Sequence, residues 1–157
     1  MTETSSLKTW AAQIRAPFLI LSVLLCAIGG AVAWSDGVLH GLRLALCALG
    51  VTLAHVAVNL LNELSDAETG VDDRTVPTPF SGGSKVMQQG LLPRRSVSMA
   101  AWGSLAAAGA IGAYLTVVSG VLLAAFVVAG GLASVLYTRY LARVMLGELV
   151  AGATLGT

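Results

Sequence analysis

Charged side chains are scarce in this sequence. Nine Lys and Arg and eight Asp and Glu make up 11% of its 157 residues, against roughly 25% in a typical soluble domain. The formal net charge of +1 excludes the strongly basic surface that binds nucleic-acid phosphates. Because 56% of the residues are hydrophobic and the mean hydropathy is +0.83, the composition indicates an integral membrane protein.

Cysteine is also rare, and its positions exclude two kinds of site. Cys26 and Cys47 lie in apolar runs and lack the paired spacing of a zinc site or a redox dithiol. We therefore expect both to be packed thiols.

The long apolar segments determine the predicted fold. A hydrocarbon core of ~30 Å is crossed by ~20 helical residues, so these segments predict an all-α, multi-span transmembrane helical bundle. Residues 1–15 precede it as an interfacial segment, and Pro17 opens the first helix. Small residues at Ser104, Ala108 and Gly112 permit close helix contact. The predicted spans are 16–34, 39–62, 97–118 and 121–137, followed by part of a fifth at 144–157.

The basic residues are distributed unevenly around these spans. Arg43 alone falls on one side of the predicted bundle. Since cytoplasmic loops carry the excess of Lys and Arg, the count predicts a multi-pass protein of the cytoplasmic (inner) membrane. Its N-terminus and the loop 63–95 are predicted to be cytoplasmic. This cytoplasmic side carries the other eight basic residues, Lys8, Arg15, Arg74, Lys85, Arg94, Arg95, Arg139 and Arg143.

The second span runs into residues 59–73, which hold five of the eight acidic side chains. If the helix continues to Gly70, then Asn59, Asn62, Glu63 and Asp66 share one face. Charged groups at the edge of the hydrocarbon are costly and mark ion or substrate paths. We predict a functional site on this face, although the solvated end of a helix would also explain its charge.

The chemistry of this stretch suits a metal-bound diphosphate. Mg²⁺ prefers carboxylate and amide oxygens and is often held by one or two carboxylates together with substrate phosphates. The run Ser-Gly-Gly-Ser at 81–84 can form a nest of backbone N–H groups for an anion, and Lys85 adds a positive charge. Taken singly, the glycine run is typical of a flexible connector and Lys85 of a solvated side chain. Together they predict binding of a lipid-linked diphosphate.

The same residues carry a family resemblance. Residues 62–72, NELSDAETGVD, resemble the first aspartate-rich motif of the UbiA superfamily of intramembrane prenyltransferases, with the spacing of its menaquinone-pathway branch. Residues 78–92, TPFSGGSKVMQQGLL, resemble the loop that follows that motif, and Gly147-Glu148 resembles the start of the fifth span. Glu63 stands where the family more often has Asp.

The resemblance implies Mg²⁺-dependent transfer of a polyprenyl group from polyprenyl diphosphate to an aromatic acceptor. In the menaquinone branch that acceptor is 1,4-dihydroxy-2-naphthoate. Positive groups stabilise the departing diphosphate, and a ring carbon attacks the allylic carbocation. The implied metal ligands are Asn62, Glu63, Asp66 and Asp72, the implied diphosphate contacts are Asn59, Arg74, Gly83, Ser84 and Lys85, and the implied catalytic residues are Asn62, Asp66 and Lys85.

The resemblance covers only the first half of the family's length. The family fold is a bundle of nine membrane helices with a second aspartate-rich motif on a later helix, and this sequence has no such motif. Its fifth apolar segment has fourteen residues, fewer than the ~20 of a span. We therefore expect an N-terminal half that is inactive until the C-terminal half of the same enzyme completes the site.

Two other classes of protein remain open. An inactive remnant of such an enzyme would have the same sequence features. A small multi-span transporter or ion-binding subunit would need polar residues deep in several spans, and spans one, three and four have few. His55, deep in the second span, also has two interpretations: it assists proton loss from the acceptor, or it forms an interhelical hydrogen bond.

Overall fold

A computed structural model describes residues 3–70 and 83–139 of the chain, with side chains at 6–70 and 83–135. Every regular element in these ranges is a helix, which confirms the predicted all-α class. A short 3-10 helix, Ala16–Leu19, has Pro17 as its second residue and leads directly into α2. The α-helices are α1 (Glu3–Gln13), α2 (Ile20–Ser35), α3 (Gly41–Thr69), α4 (Arg94–Ser119) and α5 (Leu122–Arg139).

Three helical segments are long and apolar enough to cross a membrane: Ala16–Ser35, Gly41–Thr69 and Arg94–Ser119. They coincide with the first three predicted spans. The fourth predicted span corresponds to α5, of which the part with described side chains, Leu122–Val135, is an apolar helix. The fifth predicted segment, 144–157, lies outside the described residues.

The surface of α2 has the apolar character that a lipid-facing helix requires. Its large apolar side chains are exposed, from 45% at Val23 to 75% at Trp34. Such a surface would be unfavourable in water but matches the hydrocarbon of a bilayer. The exposure of these apolar side chains and the lengths of the helices therefore both indicate an integral membrane protein.

Helix α3 is the central element and packs against α2, α4 and α5. Its last turns continue into the acidic stretch as predicted and end at Thr69. Gly70, with a left-handed backbone and φ of 66°, caps the helix. The main cluster of buried apolar side chains lies along the same turns. It joins α3 to residues 86–92 and to the start of α4 through Leu60, Leu61, Leu64, Val86, Leu92, Val97 and Ala101.

One residue of the small-residue stripe on α4, Gly112, makes the close helix contact that the spacing permits. A Cβ added at Gly112 would lie 2.9 Å from both γ-methyl carbons of Val127 on α5. Thus α4 and α5 approach each other at a distance that only glycine allows without displacing a neighbour.

Candidate active site at the end of helix α3

The four polar residues predicted to share a helix face lie in the last turns of α3, but they differ in burial. Glu63 is 1% exposed and Asn59 is 9% exposed. Asn62 and Asp66 are half-buried. Two of these side chains therefore lie inside the protein, and two lie at the boundary of its surface.

The carboxylate of Glu63 accepts several hydrogen bonds from Ser84. The Ser84 backbone N–H donates to Oε1 at 2.9 Å and to Oε2 at 3.1 Å, and the Ser84 hydroxyl donates to Oε2 at 2.6 Å. Arg15 adds an ion pair, with its Nε 3.3 Å from Oε1. A carboxylate this deeply buried is tolerated because it is both paired and hydrogen-bonded.

The segment between α1 and α2 supplies the other partners of this site. The Asn59 side-chain Nδ2 donates to the backbone carbonyl of Ile14 at 2.9 Å. Gln13 is fully buried, and its Oε1 lies 3.3 Å from the Ser84 hydroxyl. These contacts hold the N-terminal segment against the acidic end of α3.

Gln13, Ile14 and Arg15 were not among the predicted site residues. Arg15 was used only in the count of basic residues, and no local signal in the sequence marks Gln13 as buried. Their involvement depends on the chain folding back onto α3.

The described part of the loop packs back against α3. Residues 85–90 form a turn in which the Gln89 N–H donates to the Lys85 carbonyl at 3.0 Å. Val86, 4% exposed, anchors this turn in the apolar cluster. As a result, Gly83, Ser84 and Lys85 lie at the acidic end of α3.

Two predicted site residues lie outside the described residues. They are Asp72, a predicted metal ligand, and Arg74, a predicted diphosphate contact. Their roles stay predictions from the sequence.

The same end of the bundle carries a surface ion pair between Arg94 and Glu68, which joins the start of α4 to the end of α3. Arg43 lies near the first residue of α3, at the other end of that helix. Among the described residues, Arg15, Lys85 and Arg94 thus lie at the acidic end of α3, and Arg43 lies at the other end. Which end faces the cytoplasm stays a prediction.

Deeper in the helices, polar groups pair with one another. The Ser22 hydroxyl on α2 lies 2.8 Å from His55 Nδ1 on α3, so the interhelical hydrogen bond, one of the two interpretations of His55, is confirmed. Cys26 on α2 and Cys47 on α3 are free thiols. Their half-buried positions agree with the prediction of packed thiols.

The donor set at the end of α3 fits a hard divalent cation by its chemistry. Asn62 and Asp66 lie one helical turn apart and offer an amide oxygen and a carboxylate, ligands that Mg²⁺ prefers. Glu63 directs its oxygens to Ser84 and Arg15 instead. Across the described residues, no group of three or more His, Cys, Asp or Glu side chains is placed to hold a metal ion.

These features define an integral membrane helical protein with an acidic, amide-rich site at one end of its bundle. The sequence model of the UbiA prenyltransferase family matches residues 23–157. The chain therefore belongs to the UbiA prenyltransferase family, whose members transfer prenyl groups. It has no significant match among curated proteins or among solved structures.

Proposed function

We propose that this chain provides the diphosphate-binding part of an enzyme that transfers a polyprenyl group from polyprenyl diphosphate to an aromatic acceptor. Membership of the family supports the reaction class. The observation that carries the proposal is the bonding of Ser84 to Glu63, because it joins the acidic helix end to the Gly-Ser-Lys loop. Metal-binding oxygens and phosphate-binding donors then lie side by side.

In this proposal Asn62, Asp66 and Asp72 hold Mg²⁺. The bound ion supplies positive charge that stabilises the departing diphosphate. Glu63, which the sequence also predicted as a ligand, would need to exchange its bonds to Ser84 and Arg15 for a bond to the metal.

The cationic and N–H donors of the loop bind the diphosphate oxygens. Lys85 contributes a full charge and Gly83 a backbone N–H, and Arg74 and Asn59 are further proposed contacts. Gly83 and Lys85 flank Ser84, which is bonded to Glu63 on α3, so these two groups need little reorganisation as charge develops on the leaving group.

The isoprenoid tail is proposed to occupy an apolar cavity between α3, α4 and α5. Its volume is about 460 Å³, and its lining includes Val51, Leu105 and Phe126. An apolar, water-poor environment also protects an allylic carbocation from hydrolysis. Such a cavity supports a prenyl substrate over a polar one.

The acceptor is proposed to be 1,4-dihydroxy-2-naphthoate, of menaquinone biosynthesis, because residues 62–72 and 78–92 resemble that branch of the family.

The site is proposed to face the cytoplasm, because most of the basic residues are predicted on that side of the membrane. The C-terminal half of the enzyme is proposed to supply the opposing ligands, because clamps of this type hold both ends of the reacting bond. A remnant without activity is the alternative.

The test is a transfer assay with the full-length enzyme in lipid vesicles, using labelled polyprenyl diphosphate and Mg²⁺. We expect a prenylated naphthoate and no product after chelation of the metal. A hydroxybenzoate in place of the naphthoate tests the acceptor. If neither acceptor is prenylated by well-folded protein, the remnant interpretation is favoured.

A further inference from the structure

The contacts around Glu63 include residues that lie outside the range matched by the family. The match begins at residue 23, yet Arg15 pairs with Glu63 and Ile14 accepts a bond from Asn59. The interfacial segment is therefore part of the structure of the site. It does not serve only as a membrane anchor.

Backbone strain is found at two positions next to this cluster. Arg15 (φ 53°) and Lys85 (φ 58°) are the only residues other than glycine with positive φ in the described ranges. Left-handed backbone is unfavourable for such residues and persists when the surroundings enforce it, often at functional sites. Arg15 is held by its ion pair with Glu63, and Lys85 directly follows Ser84, which bonds the same carboxylate.

A buried donor lies in the same cluster. Gln13 Nε2 has no hydrogen-bond partner among the described residues, although its side chain is fully buried. The amide that carries it lies beside the Ser84 hydroxyl. The Ser84 hydroxyl gives its single hydrogen to Glu63, so its oxygen can accept a hydrogen bond from Gln13 Nε2 once the amide is flipped. Gln13 then supports the bond between Ser84 and Glu63.

We infer that Glu63 and Arg15 are positioning residues, which lock Ser84 against α3 and so hold Lys85 at the diphosphate. This inference rests on the proposed function for the identity of the ligand. Both oxygens of Glu63 are bonded to Ser84, so its present contacts suit an anchor. The N-terminal segment thereby controls the geometry of the loop.

The first experiment measures how firmly the loop is held, without turnover. A Val86→Cys reporter is introduced into the full-length protein after Cys26 and Cys47 are replaced by Ala. Val86 is only 4% exposed, so an impermeant maleimide should react slowly. Glu63→Gln should accelerate labelling roughly tenfold or more, because hydrogen bonds to a charged group restrain the loop.

Matched variants identify the cause of faster labelling. Ser84→Ala removes only a hydroxyl and tests the anchor if Glu63→Gln fails to fold. Arg15→Gln should also accelerate labelling, whereas Arg15→Lys should retain part of the protection. Glu68→Gln, on the same helix but paired with Arg94 at the surface, should leave the labelling rate unchanged.

The second experiment separates positioning from metal binding in the transfer assay. A positioning role predicts that Glu63→Gln raises the KM for polyprenyl diphosphate and leaves the half-saturating Mg²⁺ concentration unchanged. Unchanged labelling of Val86→Cys together with a higher Mg²⁺ requirement would overturn the inference and make Glu63 a metal ligand. If the parent enzyme transfers no prenyl group, the proposed function fails, while the labelling rates still decide the role of Glu63.

Discussion

Ser84 donates both its backbone N–H and its hydroxyl to the carboxylate of Glu63, a residue 21 positions earlier in the chain. This relationship connects the acidic end of α3 to the glycine-containing loop. Because Glu63 also pairs with Arg15, one buried carboxylate holds three separate segments together. This side chain therefore orients the loop next to Lys85, together with Val86, which anchors the following turn in the apolar cluster.

The first prediction concerns the metal. Asp66→Asn in the full-length enzyme should lower turnover by roughly two orders of magnitude or more, as expected when electrostatic stabilisation of a charged transition state is lost. Binding of the isoprenoid tail should change much less. Turnover of Asp66→Asn is measured across a Mg²⁺ titration, and Glu68→Gln is the control. Near-normal turnover of Asp66→Asn would show that this face of α3 does not bind the metal.

The second prediction concerns orientation in the membrane. With Cys26 and Cys47 replaced by Ala, Gln89→Cys should react with an impermeant thiol reagent only from the cytoplasmic side. Gln89 is exposed and lies at the basic end of the structure. Val38→Cys, exposed at the other end, should react only from outside. The reverse pattern would invert the topology that the count of basic residues predicts.

The third prediction tests the pairing of α2 and α3. Ser22 bonds His55 and Gly30 packs against Leu44, so Cys26 and Cys47 lie between these two contacts on facing helices. A membrane-permeant oxidant should therefore link them. After cleavage at a protease site inserted at Gly37, the two fragments should stay joined until reductant is added. As a control, Cys47→Ala should abolish the link. If the oxidised and cleaved parent protein still gives separate fragments, the packing of α2 on α3 is contradicted.

The fourth prediction concerns the contact between α4 and α5. Gly112→Ala should lower the stability of the folded protein by about 1–3 kcal/mol, because the added methyl group overpacks against Val127. Gly109→Ala is the matched control, since no atom lies within 4 Å of a Cβ added there. Unfolding in mixed detergent measures both variants. Equal stability would show that α4 and α5 pack less closely than the structure indicates.

The helices and the predicted face of α3 follow from the sequence itself. Apolar length predicts the spans 16–34, 39–62 and 97–118, because each must cover the thickness of a bilayer. The structure has the helical segments Ala16–Ser35, Gly41–Thr69 and Arg94–Ser119 at these places. The continuation of α3 to Gly70 is likewise a local property, since helical periodicity and capping involve residues a few positions apart.

The partners of the polar residues follow from the packing of the chain. Residue type and spacing identified Glu63 as a candidate ligand, but its bonds to Ser84 and Arg15 require the loop and the N-terminal segment to converge on α3. His55 likewise had two interpretations until the packing of α2 brought Ser22 to its ring. Periodicity records which residues share a face of one helix, whereas hydrogen bonds between distant segments depend on how those segments pack in three dimensions.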